Sequence, residues 1–324
     1  MSASGALAIV PAPAFDPQEP LLTRIGGRAW SSWHLYGVGP GDYLHVVSTV
    51  IPAVVRQLSA RSLIDGFFFI RYADAGGHHV RLRLRAPEGA FDTIEPVARV
   101  VEGAAEALGL TALLQPFELE VERYGGMAYL PLSLELFCLS SLAVLDWCEC
   151  HAAEPRSRQL PEVMRLLVSQ AAALARDLNE LALLLDYFAG WREQMEASVQ
   201  KGDRVFENQA ERLVSLLRLN LDATLSGTVS QAAMIKGARA LSAAVRGLPA
   251  ARRNEVLLSQ MHMTANRLGL HTPEESYVTQ ILRRALERLV QQDPGYARDL
   301  DARLRRQRSS LPLDALVSRC LEKR

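Results

Sequence analysis

Apolar and polar positions change period along the chain. Before about Tyr124, stretches of period two alternate with helical spacing; from about Leu132 onward nearly every apolar position recurs at helical spacing. Residues 31–36 alternate aromatic and polar side chains, which predicts a strand broken by Gly37 and the Gly39-Pro40-Gly41 turn. Asp42 can cap the helix that follows, in which Leu44, Val47, Val50, Ile51, Val54, Val55 and Leu58 mark one face. Residues 67–72 are β-prone and residues 80–85 alternate strictly. The segment Ala73-Asp74-Ala75-Gly76-Gly77 joins them, so the pair predicts a β-hairpin. A helix over 91–108 ends at Gly109, and a further strand over 117–124 stops at Gly125-Gly126.

The second half predicts helices near 133–150, 161–190, 203–222, 230–247, 251–268, 273–292, 295–307 and 312–322. Thr272 can cap the sixth of these, with Pro273 at the first helical position and Glu275 at the third. The fold class is α+β: an antiparallel sheet with flanking helices, then a mostly helical half. Residues 1–26, with Pro11, Pro13, Pro17 and Pro20, read as an irregular tail. Residues 27–324 read as one domain with a mixed part (27–130) and a helical part (131–324).

Composition narrows the classes. A 324-residue chain that is 49% hydrophobic can bury a large core, and a formal net charge of zero argues against a general polyanion binder. No apolar run reaches the roughly 20 residues of a membrane helix. The apolar start, Ala6 to Pro13, lacks the basic region of a signal peptide. Cys138, Cys148, Cys150 and Cys320 form no secretory framework and read as reduced thiols, consistent with a cytoplasmic location. Cys148, Cys150 and His151 do not share one helical face, so no metal is expected there.

Three segments carry chemistry. Period two places His79, Arg81, Arg83 and Arg85 on one strand face, with Arg71 on the partner strand of the hairpin. Such a face is either solvated and paired with Glu118, Glu120 and Glu122, or it receives anions, for which guanidinium forks are suited. In the strand over 117–124, Arg123 falls on the parity of Phe117, Leu119 and Val121, an apolar face. It would escape at the strand end, pair with an acid such as Glu135, or meet an anion in a cavity. On a helix, His262 lies one turn from Ser259 and from Asn266 amid Leu257, Leu258, Met261 and Leu268. A histidine so placed is a core residue or a proton carrier. No GxGxxG, Walker A, HExxH or GxSxG pattern occurs, and nothing points to a nucleotide or nicotinamide cofactor.

Taken in order, Trp33-His34-Leu35-Tyr36, Phe68-Phe69-Ile70-Arg71-Tyr72, His79-Val80-Arg81-Leu82-Arg83 and Glu122-Arg123-Tyr124-Gly125-Gly126 resemble the lantibiotic dehydratase C-terminal domain. Glu135 and Phe137 match the acidic and aromatic positions that follow, and His262 with Asn266-Arg267 matches its histidine helix. The resemblance spans roughly residues 30 to 270. One departure is Ser140-Ser141, where the family usually has Asp-Ser. The resemblance implies an elimination: a partner subunit loads glutamate from glutamyl-tRNA onto Ser or Thr of a precursor peptide, and this domain expels it. Dehydroalanine or dehydrobutyrine remains. It further implies that the glutamylating part is a separate chain, that the peptide's leader and core are bound, and that no cofactor or metal is needed. Direct contact with nucleic acid or membrane is not expected, and homodimerisation stays open. The roles it implies are glutamate recognition and charge stabilisation for Arg81, Arg83 and Arg123, and proton transfer for His262. Arg71, His79, Glu135 and Asn266 are substrate-binding candidates. Two alternatives are a thiopeptide pyridine synthase, which fuses two dehydroalanines by a formal aza-cycloaddition, and a non-catalytic scaffold that adds the leader peptide to a sheet edge.

Overall fold

The computed structural model describes residues 22–39, 41–90, 94–223, 228–306, 317, 320 and 321. Pro40, the start of the helix expected over 91–108 and most of the helix expected over 312–322 lie outside these residues, as does most of the expected tail. The chain forms two compact units: one takes the described residues up to Ile64 and Phe69–Glu118, the other Asp65–Phe68 and the described residues from Leu119 onward.

The first unit is built on a five-stranded sheet, β1 (Leu22–Ile25), β2 (Arg28–Tyr36), β3 (Gly66–Asp74), β4 (Gly77–Arg85) and β5 (Thr111–Gln115). Strand β1 lies in the stretch expected to be irregular, and it pairs antiparallel with the start of β2. Strand β2 is central. One edge carries β1 and then β5, and the other pairs with β4, whose outer neighbour is β3. The expected hairpin is present, with β3 and β4 joined through Ala75-Gly76. The register opposes Trp33 to Leu82 and Leu35 to Val80, an apolar face whose side chains are essentially inaccessible. Helices α1 (Tyr43–Ala60) and α2 (Ile94–Glu106) pack on each other, and α2 packs on β5 and β2. Asp42 stands before α1 but makes no side-chain capping hydrogen bond.

The strand expected over 117–124 is not formed. Pro116, which has no N–H to give a ladder, ends β5, and the sheet position is taken by Thr111–Gln115 instead. Residues 116–120 are irregular, and Glu122–Tyr124 form a 3-10 turn closed by Gly125 and Gly126 at φ 88° and 91°. These left-handed conformations suit glycine. The alternation that placed Arg123 on an apolar face therefore does not apply.

The second unit is helical: α3 (Leu130–His151), α4 (Arg156–Leu174), α5 (Leu178–Leu185), α6 (Glu196–Asp222), α7 (Val229–Ala244), α8 (Ala250–Arg267), α9 (Thr272–Gln292) and α10 (Pro294–Arg306). The single helix expected over 161–190 is two. Ala175 is extended (φ −70°, ψ 138°), and Asp177 starts α5 afresh by accepting from Glu180 N at 2.9 Å. Helix α6 starts earlier than expected and is interrupted at Gln209. Helix α3 also corrects the expectation that no apolar stretch reaches membrane-spanning length: it has 22 residues, and an 18-residue window of it has a mean hydropathy of 1.4. Its apolar window is 78% buried within the protein, the pattern of a core helix, and it packs against α7 and α8.

Candidate active site

On the first unit, the register places Trp30, Ser32, His34 and Tyr36 of β2 opposite Arg85, Arg83, Arg81 and His79 of β4, all on the face away from Trp33 and Leu82. Arg83 is 2% exposed. Its guanidinium lies 4.7 Å from the Phe117 ring centroid, and its Nε and Nη1 have no hydrogen-bond partner among the described residues. Burial, then the neighbouring Arg81, push its pKa down to about 9, so it still carries its charge at neutral pH. A buried cation with unused donors is costly unless something anionic meets it.

Arg81 is differently held. It sits over the Tyr72 ring at 3.4 Å, donates from Nε to His79 Nε2 at 3.2 Å, and lies 3.7 Å from exposed Glu118. His79 donates from Nδ1 to Gly77 O at 3.1 Å, so its two partners fix one neutral tautomer. Burial lowers its pKa, and burial with Arg83 and Arg81 takes His34 down to about 2. The His34 ring stacks on His79 at 5.0 Å, and His34 Nε2 has no hydrogen-bond partner among the described residues. Tyr36 donates to Asp74 at 3.1 Å, and burial raises its phenol to about 12.

Arg71 is not brought to this face. Tyr72 contacts Arg81 and His79, so alternation turns Arg71 to the opposite side, where it lies 5.8 Å from the Tyr43 ring of α1.

Metal ligation has one geometric candidate among the described residues: ligand atoms of His34, Asp74 and His79 lie within 4.8 Å of one another. Arg81 already donates to the Nε2 that His79 would offer, and Arg81 and Arg83 both act on His34. A divalent cation beside two guanidinium groups is repelled, so the chemistry of this face suits an anion.

On the second unit, Arg123 is one-third exposed. It donates from Nε to Ser259 Oγ of α8 at 3.0 Å and from Nη1 to Glu120 at 3.1 and 3.2 Å. Its acid is therefore Glu120. Glu122 pairs with Arg252 at 2.6 Å and Glu118 with Arg81, so the three acids expected along one strand go to three arginines. Ser259 precedes His262 by one turn, which sets Arg123 against the histidine helix. His262 Nδ1 lies 2.9 Å from Glu275 Oε2, with Phe188 stacked on the ring at 6.1 Å. Asn266 is half-buried one turn further along α8, and Glu135 is half-buried on α3.

Where the family's acid would stand, Ser140 Oγ accepts from Arg267 Nη1 at 3.0 Å and donates to Phe137 O at 3.1 Å. Arg267 is fully buried, 4.5 Å from the Phe137 ring. From the sequence, His34 and Arg267 stood only within the quoted motifs, Glu120 was a candidate partner of the arginine face and Glu275 a capping residue; none was read as part of the site. His34 has period two in its favour. Glu120, Arg267 and Glu275 gain their meaning from contacts of irregular spacing, which no periodicity encodes.

The sequence matches the family described as "Lantibiotic biosynthesis dehydratase C-term" over residues 30–286. Among solved structures it is similar to TsrL, at 16% identity and a TM-score of 0.60, covering 90% of this chain and 98% of that one. It is also similar to the tRNA-dependent lantibiotic dehydratase MibB from Microbispora sp. 107891, at 19% identity and a TM-score of 0.57, covering 83% of this chain and 29% of MibB. At these identities the structural matches show a shared fold. No curated protein sequence matches. The family match extends over most of the chain and includes every candidate residue named above, and by it the protein belongs to the lantibiotic biosynthesis dehydratase C-terminal family.

Proposed function

We propose that this chain is the elimination subunit of a split dehydratase. It takes a ribosomally made precursor peptide whose Ser or Thr has been glutamylated by a partner subunit and expels glutamate, leaving dehydroalanine or dehydrobutyrine. Family membership supports a dehydratase role, and TsrL, 98% of which the match covers, shares the fold. Coverage of 29% of MibB is consistent with one part of a larger tRNA-dependent enzyme. The observation that carries the reading is Arg83, a buried cation whose Nε and Nη1 have no hydrogen-bond partner among the described residues. Glutamate transferred from glutamyl-tRNA is joined through its α-carboxyl, so the ester brings two carboxylates for such donors: the free side-chain γ-carboxylate, and the α-carboxylate released as the Cβ–O bond breaks.

The chemistry is a β-elimination. A base removes the weakly acidic Cα proton, the developing enolate is stabilised by positive charge, and the Cβ–O bond breaks to release the carboxylate. We assign the proton transfer to His262 and the anionic groups to Arg81, Arg83 and Arg123, a lyase activity carried out in the cytoplasm. The test supplies a synthetic peptide with a glutamyl ester on one Ser and follows its mass. The expected product is lighter than the unmodified peptide by one water. An ester left intact, together with conversion of a two-dehydroalanine peptide into a ring product, would replace elimination by pyridine formation.

A further inference from the structure

We propose that Glu275 positions His262, fixing its tautomer and ring so that Nε2 is the atom that exchanges the proton. The inference rests on the reading of His262 as the proton-transfer residue. Glu275 lies in the first turn of α9, where an acid is favoured by the exposed N–H groups of the helix start. A sequence-based capping box would assign Glu275 to the cap. The structure shifts that box by one residue: His271 is the cap, and Glu274 Oε2 accepts from His271 N at 3.2 Å. Glu275 is thereby released from capping and is 2% exposed. Its Oε2 lies 2.9 Å from His262 Nδ1.

A carboxylate only accepts, so this contact requires a proton on Nδ1 and leaves the Nε2 lone pair free. Phe188, stacked at 26° to the imidazole, restricts the ring from one side, while 31% of the His262 side chain stays open. The buried Tyr187 stands near the same carboxylate, its phenol raised well above its ordinary value by burial and then by Glu275. A buried acid behind a part-open histidine is the arrangement by which enzymes orient a general base.

The test uses the full chain with 15N-labelled histidine, above the imidazole titration, in the wild type and in the variants Glu275→Gln and Glu275→Leu. NMR reads the tautomer of His262, and the glutamyl-ester peptide reads kcat and KM. The wild type should hold Nδ1–H. Glu275→Gln keeps an acceptor oxygen but no charge, so it should retain Nδ1–H and lose on the order of tenfold in kcat. Glu275→Leu should move the ring toward Nε2–H and lower kcat on the order of 10²-fold with KM little changed. A wild-type ring in the Nε2–H form, or a Gln variant with full kcat, would overturn the proposal. So would a folded Leu variant with unchanged tautomer or kcat. A wild type that shows the expected tautomers yet eliminates nothing would instead refute the reaction and leave the orientation of His262 standing.

Discussion

The sheet face of the first unit and the histidine helix of the second both place charged groups among apolar ones, but they satisfy them differently. In the second unit, each group given a catalytic role has an acid beside it: Arg123, in the turn against the histidine helix, has Glu120, and His262 has Glu275. On the sheet face, Arg83 is more deeply buried than either: its guanidinium lies against the Phe117 ring and feels the charge of Glu118, but its Nε and Nη1 have no hydrogen-bond partner among the described residues. The two imidazoles near it are held neutral by burial. Partners already in place suit residues that must hold a geometry and move a proton. Donors left over suit residues that wait for an anion to be brought to them. The two regions therefore differ in what they lack, and that difference guides the perturbations below.

The largest expected effect is on the helix. His262→Ala should slow elimination by roughly 10²- to 10⁴-fold, the usual worth of a positioned acid or base, with the glutamylated peptide accumulating in the mass spectrum. Retained elimination would move the proton-transfer role elsewhere.

Ser140→Ala tests whether a neutral hydroxyl is enough for a buried guanidinium. It removes the acceptor from Arg267 Nη1, and urea unfolding should show a loss of about 1–3 kcal/mol. An unchanged midpoint would mean that Arg267 is held sufficiently by its other contacts.

A smaller effect distinguishes the sheet face by pH. His34 and His79 have pKa values below their ordinary one when folded, so the unfolded chain binds protons that the native protein refuses. Stability should be fully present above about pH 6.5 and fall as pH drops below it, by on the order of 1 kcal/mol per pH unit per histidine. His34→Asn should flatten that slope between pH 6 and 5 in unfolding titrations. An unaltered slope would assign the pH dependence to other groups.

Much of the sheet was legible because alternation and burial coincide: Val80, Leu82 and Leu84 face the apolar side, and His79, Arg81 and Arg83 the other. The strand over 117–124 was not, because its alternation is real but Pro116 denies it a ladder. Arg71 was read as a substrate-binding candidate on the partner strand of the hairpin, yet Tyr72 is the residue that alternation turns to the charged side. The helix α8 was legible in its span and in the spacing of Ser259, His262 and Asn266. Its partners were not, since Glu275 is distinguished from Glu274 only by which of them the cap takes.

The central claim is that Arg83 is kept for an incoming carboxylate and not for the fold. Arg83→Met, measured for both urea unfolding and glutamyl-ester elimination, tests it most directly. Replacing a buried charge whose Nε and Nη1 lack partners among the described residues by an apolar side chain of similar length should leave stability unchanged or raise it by about 1–3 kcal/mol, while elimination falls at least tenfold. A variant that is destabilised by several kcal/mol and still eliminates glutamate at the wild-type rate would show that Arg83 serves the fold, and would contradict the account.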